Sequence, residues 1–128
     1  MSLPIALQLY TVRQALAEDF EGTLERVAGI GYRQVEFAGL AGRDAGEVRG
    51  LLDRLGLSVT SAHASLERLT GALDEEIEQA RILGHDALVC SSMPGDLRTP
   101  EGYVQGREEL DAAAGRAAEA GIRIGYHN

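Results

Sequence analysis

Gly121-Ile122-Arg123-Ile124-Gly125-Tyr126-His127-Asn128 closes the sequence, and its reading decides the fold. A helix-stopping glycine is followed by alternating apolar and polar residues, the period of a strand with two unlike faces, and the end of that strand turns polar. The same plan recurs upstream: Gly31 precedes Gln34-Val35-Glu36-Phe37, Gly56 precedes Leu57-Ser58-Val59-Thr60-Ser61-Ala62-His63, and Gly84 precedes a strand over 87–91. A first strand over 5–10, Ile5-Ala6-Leu7-Gln8-Leu9-Tyr10, makes five.

Helices are expected between the strands. After a loop through Thr11-Val12-Arg13, Asp19 can cap a helix whose apolar face is Phe20, Leu24, Val27 and Ala28. Asp44 and Glu47 form a capping-box-like start to a second, with Val48, Leu51, Leu52 and Leu55 inward. A short helical turn around Leu66 and Leu69 leads into a longer helix bearing Leu73, Ile77, Ala80 and Leu83. A Pro/Gly loop, Met93-Pro94-Gly95-Asp96, precedes the clearest start in the chain, Thr99 as cap with Pro100 and Glu101 behind it. That helix runs to about Ala120, and its alanine-rich face can approach a sheet closely.

Regular strand–helix alternation predicts right-handed crossovers and a parallel sheet. The expected fold is a partial (β/α)8 TIM barrel of five parallel strands and about four helices, in one domain spanning 1–128. Its strands alternate: Val35 and Phe37 with Gln34 and Glu36, Ile122, Ile124 and Tyr126 with Arg123, Gly125 and His127. A doubly wound sheet would bury those polar side chains under helices. The alternative is a flavodoxin-like open parallel sheet, which five strands suffice to build, whereas a barrel usually takes ~250 residues.

In a parallel sheet, groups at the C-terminal strand ends converge on one rim: Gln8, Tyr10, Glu36, His63, Ser91, Ser92, His127 and Asn128. A carboxylate with two histidines there can bind a metal or a polyhydroxylated substrate. His85 follows a helix-ending glycine and precedes a strand, so it belongs to the opposite rim with a structural role. Gly39, Gly42 and Gly46 have the wrong spacing for a phosphate loop or a dinucleotide fingerprint. Twenty acidic against 12 basic residues, net charge −8, with the arginines scattered, disfavour nucleic acid and anionic lipid as partners. No apolar run reaches the ~20 residues of a membrane span and no signal-peptide pattern is visible, so a cytoplasmic location is expected. Cys90, alone in the sequence, cannot form an internal disulfide and reads as a small core residue.

Gln8-Leu9-Tyr10-Thr11-Val12-Arg13, Gly31-Tyr32, Val35-Glu36-Phe37-Ala38-Gly39, Ser61-Ala62-His63 and the closing Gly121 to Asn128 stretch occur in an order that closely resembles the N-terminal half of bacterial sugar phosphate isomerase/epimerase proteins of the xylose isomerase-like TIM-barrel superfamily. The resemblance implies isomerisation, epimerisation or dehydration of a sugar, sugar phosphate or cyclic polyol, with a divalent metal (Mn, Mg, Co or Zn) polarising an oxygen while carboxylates or histidines move the proton. It places Glu36 and His63 in the substrate pocket, and His127 and Asn128 at the start of a Tyr-His-Asn-His motif whose last histidine would be the next residue. It also implies that the principal metal ligands come from the fifth to eighth strands beyond Asn128, so no metal site, no bound metal and no turnover are expected of these 128 residues alone.

A second expectation is a non-catalytic half-barrel that pairs its bare first and fifth strands with another copy or another chain. Apurinic endonucleases share the superfamily, but their metal cluster uses extra histidines on early strands, where the fourth strand here ends in Ser91 and Ser92.

Overall fold

The computed structural model describes residues 3–127. Strand β1 (Ala6–Gln8) is followed by α1 (Arg13–Glu18), α2 (Phe20–Ile30), β2 (Gln34–Phe37), α3 (Ala45–Leu55) and β3 (Ser58–Ala64). Then come α4 (Leu66–Gly71), α5 (Leu73–Leu83), β4 (Ala87–Cys90), α6 (Pro100–Glu119) and β5 (Arg123–Tyr126). Single 3-10 turns occupy Leu9–Val12 and Gly95–Leu97.

The helix starts are set by side chains that accept orphan backbone N–H groups. Asp19 accepts from Gly22 at 2.9 Å, Asp44 from Glu47 at 3.0 Å, and Thr99 from Gly102 at 3.0 Å. Gly56 ends α3 at φ 65°, a left-handed conformation that costs glycine little. Gly102 answers a different need: a Cβ there would lie 2.4 Å from the Leu97 carbonyl oxygen, so α6 packs against the preceding 3-10 turn only without one.

Two expectations change. The first strand is shorter than 5–10, because the Gln8 side chain accepts the Tyr10 N–H at 2.8 Å and turns the chain off the sheet into a 3-10 helix. The described residues form six α-helices rather than about four, since α1 replaces part of the expected loop and the expected short turn around Leu66 and Leu69 counts as a helix of its own, α4. Residues 13–18 hold no glycine or proline, and Ala15, Leu16 and Ala17 are good helix formers.

All four strand pairings are parallel and the sheet order is β1-β2-β3-β4-β5. A sheet that always advances in one direction through right-handed crossovers carries its helices on one face. The helices accordingly pack on one another in sequence, α2 on α3, α3 on α5 and α5 on α6. This corrects the flavodoxin-like alternative, whose order 2-1-3-4-5 reverses direction to cover both faces. The architecture is an open arc of a singly wound barrel.

On the covered face Leu7, Val35 and Val59 stand in one row and Phe37, Ala62, Leu88 and Ile124 in another. Leu24, Leu52, Leu69, Leu83 and Ala80 pack onto it from the helices and are fully or almost fully buried. On α6, Ala113 and Ala117 are buried, as an alanine-rich contact predicts. Cys90 is completely buried, its thiol directed at the Ser92 carbonyl 3.6 Å away, and burial pushes that thiol's pKa up, away from a nucleophilic role. No described helix is long and apolar enough to cross a membrane.

Candidate functional site

Alternation puts the other half of each strand on the face without helices. At the C-terminal ends of β1, β2 and β3, Gln8, Glu36 and Ser61 are neighbours in one cross-strand row, with His63 two residues further along β3. The Gln8 Nε2 amide donates to Glu36 Oε1 at 2.5 Å, and the Ser61 hydroxyl donates to Glu36 Oε2. His63 Nε2 lies 3.2 Å from Glu36 Oε1 and 3.2 Å from Gln8 Nε2. The Glu36 and His63 side chains keep only 23% and 17% of their exposure, so the cluster is shielded yet open to a small ligand.

The Gln8 amide is oriented by its other end. Its Oε1 accepts the Tyr10 N–H, which leaves Nε2 as the group facing Glu36; the flipped amide would set oxygen against oxygen. His63 Nε2 therefore sits between a donor and an acceptor. Without a proton there, it accepts from Gln8; with one, it donates to Glu36. Neither described contact uses Nδ1.

The other expected residues are distributed less tightly. His127 follows β5, its main-chain N–H donating to the Cys90 carbonyl at 2.8 Å and its ring meeting that of His63 edge to face, centroids 5.8 Å apart. Tyr10 lies in the 3-10 turn with its ring exposed beneath the Arg13 guanidinium, 4.2 Å from the centroid. Its backbone joins the cluster through Gln8. Ser91 is half-buried and Ser92 exposed beyond the end of β4, and Asn128 lies outside the described residues. His85 is buried at the N-terminal end of β4, Nδ1 3.0 Å from the Ala87 carbonyl, and desolvation lowers its pKa.

Ser61 enters the sequence reading only within the Ser61-Ala62-His63 stretch and not as a site residue. Its signal was a break in alternation: along β3 the buried apolar residues are Val59, Ala62 and Ala64, spaced by three and then two, which marks an extra residue between them.

No group of three or more His, Cys, Asp or Glu able to hold a metal occurs among the described residues. Glu36 and His63 supply two such ligands where a catalytic metal takes about three from the protein. A larger cleft of about 750 Å³, lined by Leu3, Ile5, Ile30, Tyr32 and Gln34, lies at the opposite end of the sheet, away from these polar groups. Leu3, Ile5 and Ile30 are exposed there, and the described residues lining the cleft include no histidine, cysteine or carboxylate.

No family model matches the sequence, and no curated protein matches it. Solved structures do resemble the fold. A sugar phosphate isomerase/epimerase from Parabacteroides distasonis superposes with a TM-score of 0.80 at 22% identity, over 100% of this chain and 52% of its own. An L-ribulose 3-epimerase gives 0.62 at 19% identity, over 96% of this chain and 48% of its own. An AP endonuclease, family 2, from Brucella melitensis gives 0.70 at 17% identity, over 84% and 48%. The chain thus spans about half the length of each of these three structures, and the fold is that of part of a TIM barrel. Because both isomerase-type and nuclease proteins share it, the fold does not choose between them; the site must.

Proposed function

We propose that this chain is a substrate-binding portion of a sugar isomerase or epimerase barrel, the Gln8–Glu36–Ser61–His63 cluster forming one wall of a pocket for a sugar, sugar phosphate or cyclic polyol. The observation that carries this reading is the hydrogen-bonded carboxylate, amide, hydroxyl and imidazole at the C-terminal strand ends on the helix-free face, where barrel active sites are built. A carboxylate accepts ligand hydroxyls, an amide donates and accepts, and an imidazole can carry a proton between them. The acidic balance of the chain disfavours the nuclease reading, because a phosphate backbone is held by clustered cations.

A divalent metal would supply Lewis-acid stabilisation of an enediolate in such an enzyme. Because no group of three or more His, Cys, Asp or Glu is placed to hold one among the described residues, we assign its ligands to further strands of such a barrel. Gln8, Glu36 and His63 bind and orient hydroxyl groups, and His63 can hold a proton at Nδ1.

The test is titration of the chain with a ketohexose and with myo-inositol, followed by NMR, beside an isomerisation assay with and without Mn²⁺. Resonances of Gln8, Glu36 and His63 are expected to move while no turnover appears. Perturbations confined to the helix-covered face, or none at all, would overturn the binding reading. Turnover by these residues alone would overturn the assignment of the metal site to other strands.

A further inference from the structure

The register between β2 and β3 slips once. Val35 pairs with Val59, but Glu36 pairs with Ser61, so Thr60 is the extra residue of a bulge. The Thr60 hydroxyl donates to the Val35 carbonyl at 3.3 Å, inside the β2–β3 ladder. Continued alternation would have put Thr60 opposite Glu36; the bulge puts buried Ser61 there. Bulges re-aim side chains in this way, often beside functional sites.

We propose that Ser61 is a positioning residue that locks the Glu36 carboxylate and, through it, Gln8 and the turn at Tyr10, leaving one acceptor site on the carboxylate for a ligand hydroxyl. The proposal deepens the reading of the cluster as a polyol site and rests on it for the ligand. Glu36 offers about four lone-pair positions. Oε1 takes Gln8 Nε2 and, when His63 Nε2 carries a proton, that group as well, while Oε2 takes Ser61 alone, so the second position on Oε2 is open in either state of His63. With the carboxylate unable to rotate, Gln8 Nε2 stays on Oε1 and Gln8 Oε1 stays on the Tyr10 N–H. Ser61 on β3 is thereby connected through β2 and β1 to the turn that ends the first strand. A carboxylate held by fixed donors meets a ligand hydroxyl without reorganising, the advantage of a preorganised site.

The experiment compares the full chain with Ser61→Ala and Ser61→Thr, the latter retaining the hydroxyl. Amide exchange at Tyr10 and the side-chain amide resonances of Gln8 are followed by NMR. In Ser61→Ala, exchange at Tyr10 is expected to accelerate about tenfold relative to amides of α5 and α6, the size of one lost hydrogen bond to a charged group, and the Gln8 amide pair to shift. Ser61→Thr should behave as the natural protein. A role in packing alone would leave Gln8 and Tyr10 unmoved, so unchanged signals in Ser61→Ala, or a Ser61→Thr variant indistinguishable from it, would overturn the proposal. If Ser61→Ala does not fold, Ser61→Cys, similar in size and a weak donor, takes its place with the same expectation. In a separate arm, affinity for the ketohexose or myo-inositol should fall about tenfold in Ser61→Ala only. Absence of polyol binding by the natural chain would sink the functional reading, while the Gln8 and Tyr10 signals still decide the positioning.

Discussion

On the face of the sheet that meets the helices, Leu7, Val35, Phe37, Ala62, Leu88 and Cys90 stand in cross-strand rows; on the other, the same strands carry Gln8, Glu36, Ser61, His63, Val89 and Gly125. The first set is explained by the fold alone, since burial of each large aliphatic side chain contributes about 1.5–3 kcal/mol. The second set is not. A parallel sheet is ordinarily covered on both sides, and a half-shielded carboxylate with an amide, a hydroxyl and an imidazole around it does nothing for a core that leucine would not do better. The difference teaches that stability and recognition are divided between the faces, with strand period 2 as the device that keeps them apart.

The largest expected effect lies on the covered side. Leu52 is fully buried in α3, and Leu52→Ala should lower unfolding free energy in urea by about 2–5 kcal/mol. Val89→Ala, on the helix-free face and half-buried, should cost under half as much. Equal losses would break the distinction between the faces.

That division was largely legible in the chain. Val35 and Phe37 against Gln34 and Glu36 announced two unlike faces, and helix-stopping glycines marked where each of the last four strands begins: Gly31, Gly56, Gly84 and Gly121 all have positive φ. What could not be read was pairing between strands. The uneven spacing of Val59, Ala62 and Ala64 marks an extra residue within β3, but that Ser61 comes to face Glu36 depends on the register of two strands together. The early end of β1 was hidden for a related reason: Gln8 looks like an ordinary strand residue until its side chain is seen capping Tyr10. Strand order, which settled the architecture, is likewise non-local.

A smaller effect separates the two ends of the sheet. Buried His85, at the N-terminal end of β4, has its pKa lowered from the ordinary 6.5 by desolvation, so folding favours the neutral ring. As pH falls through 6.5, the unfolded chain takes up a proton that the folded chain does not, and stability declines toward the lower folded value. The contribution is full above 6.5 and cannot exceed about 1.4 kcal/mol per pH unit for one group. His85→Asn, able to keep a donor near the Ala87 carbonyl, should flatten this part of the pH profile in thermal melts while leaving polyol-induced NMR shifts unchanged. Altered ligand shifts would show that the two ends are not separate in function.

The most direct test of the division of labour is Glu36→Leu, read for stability and ligand response in the same sample. The account predicts a loss of unfolding free energy below that of Leu52→Ala, about 1–3 kcal/mol for the Gln8 and Ser61 donors left without their acceptor, together with loss of the ketohexose- or inositol-induced shifts at Gln8 and His63. A loss of stability as large as that of Leu52→Ala, with ligand response intact, would contradict it.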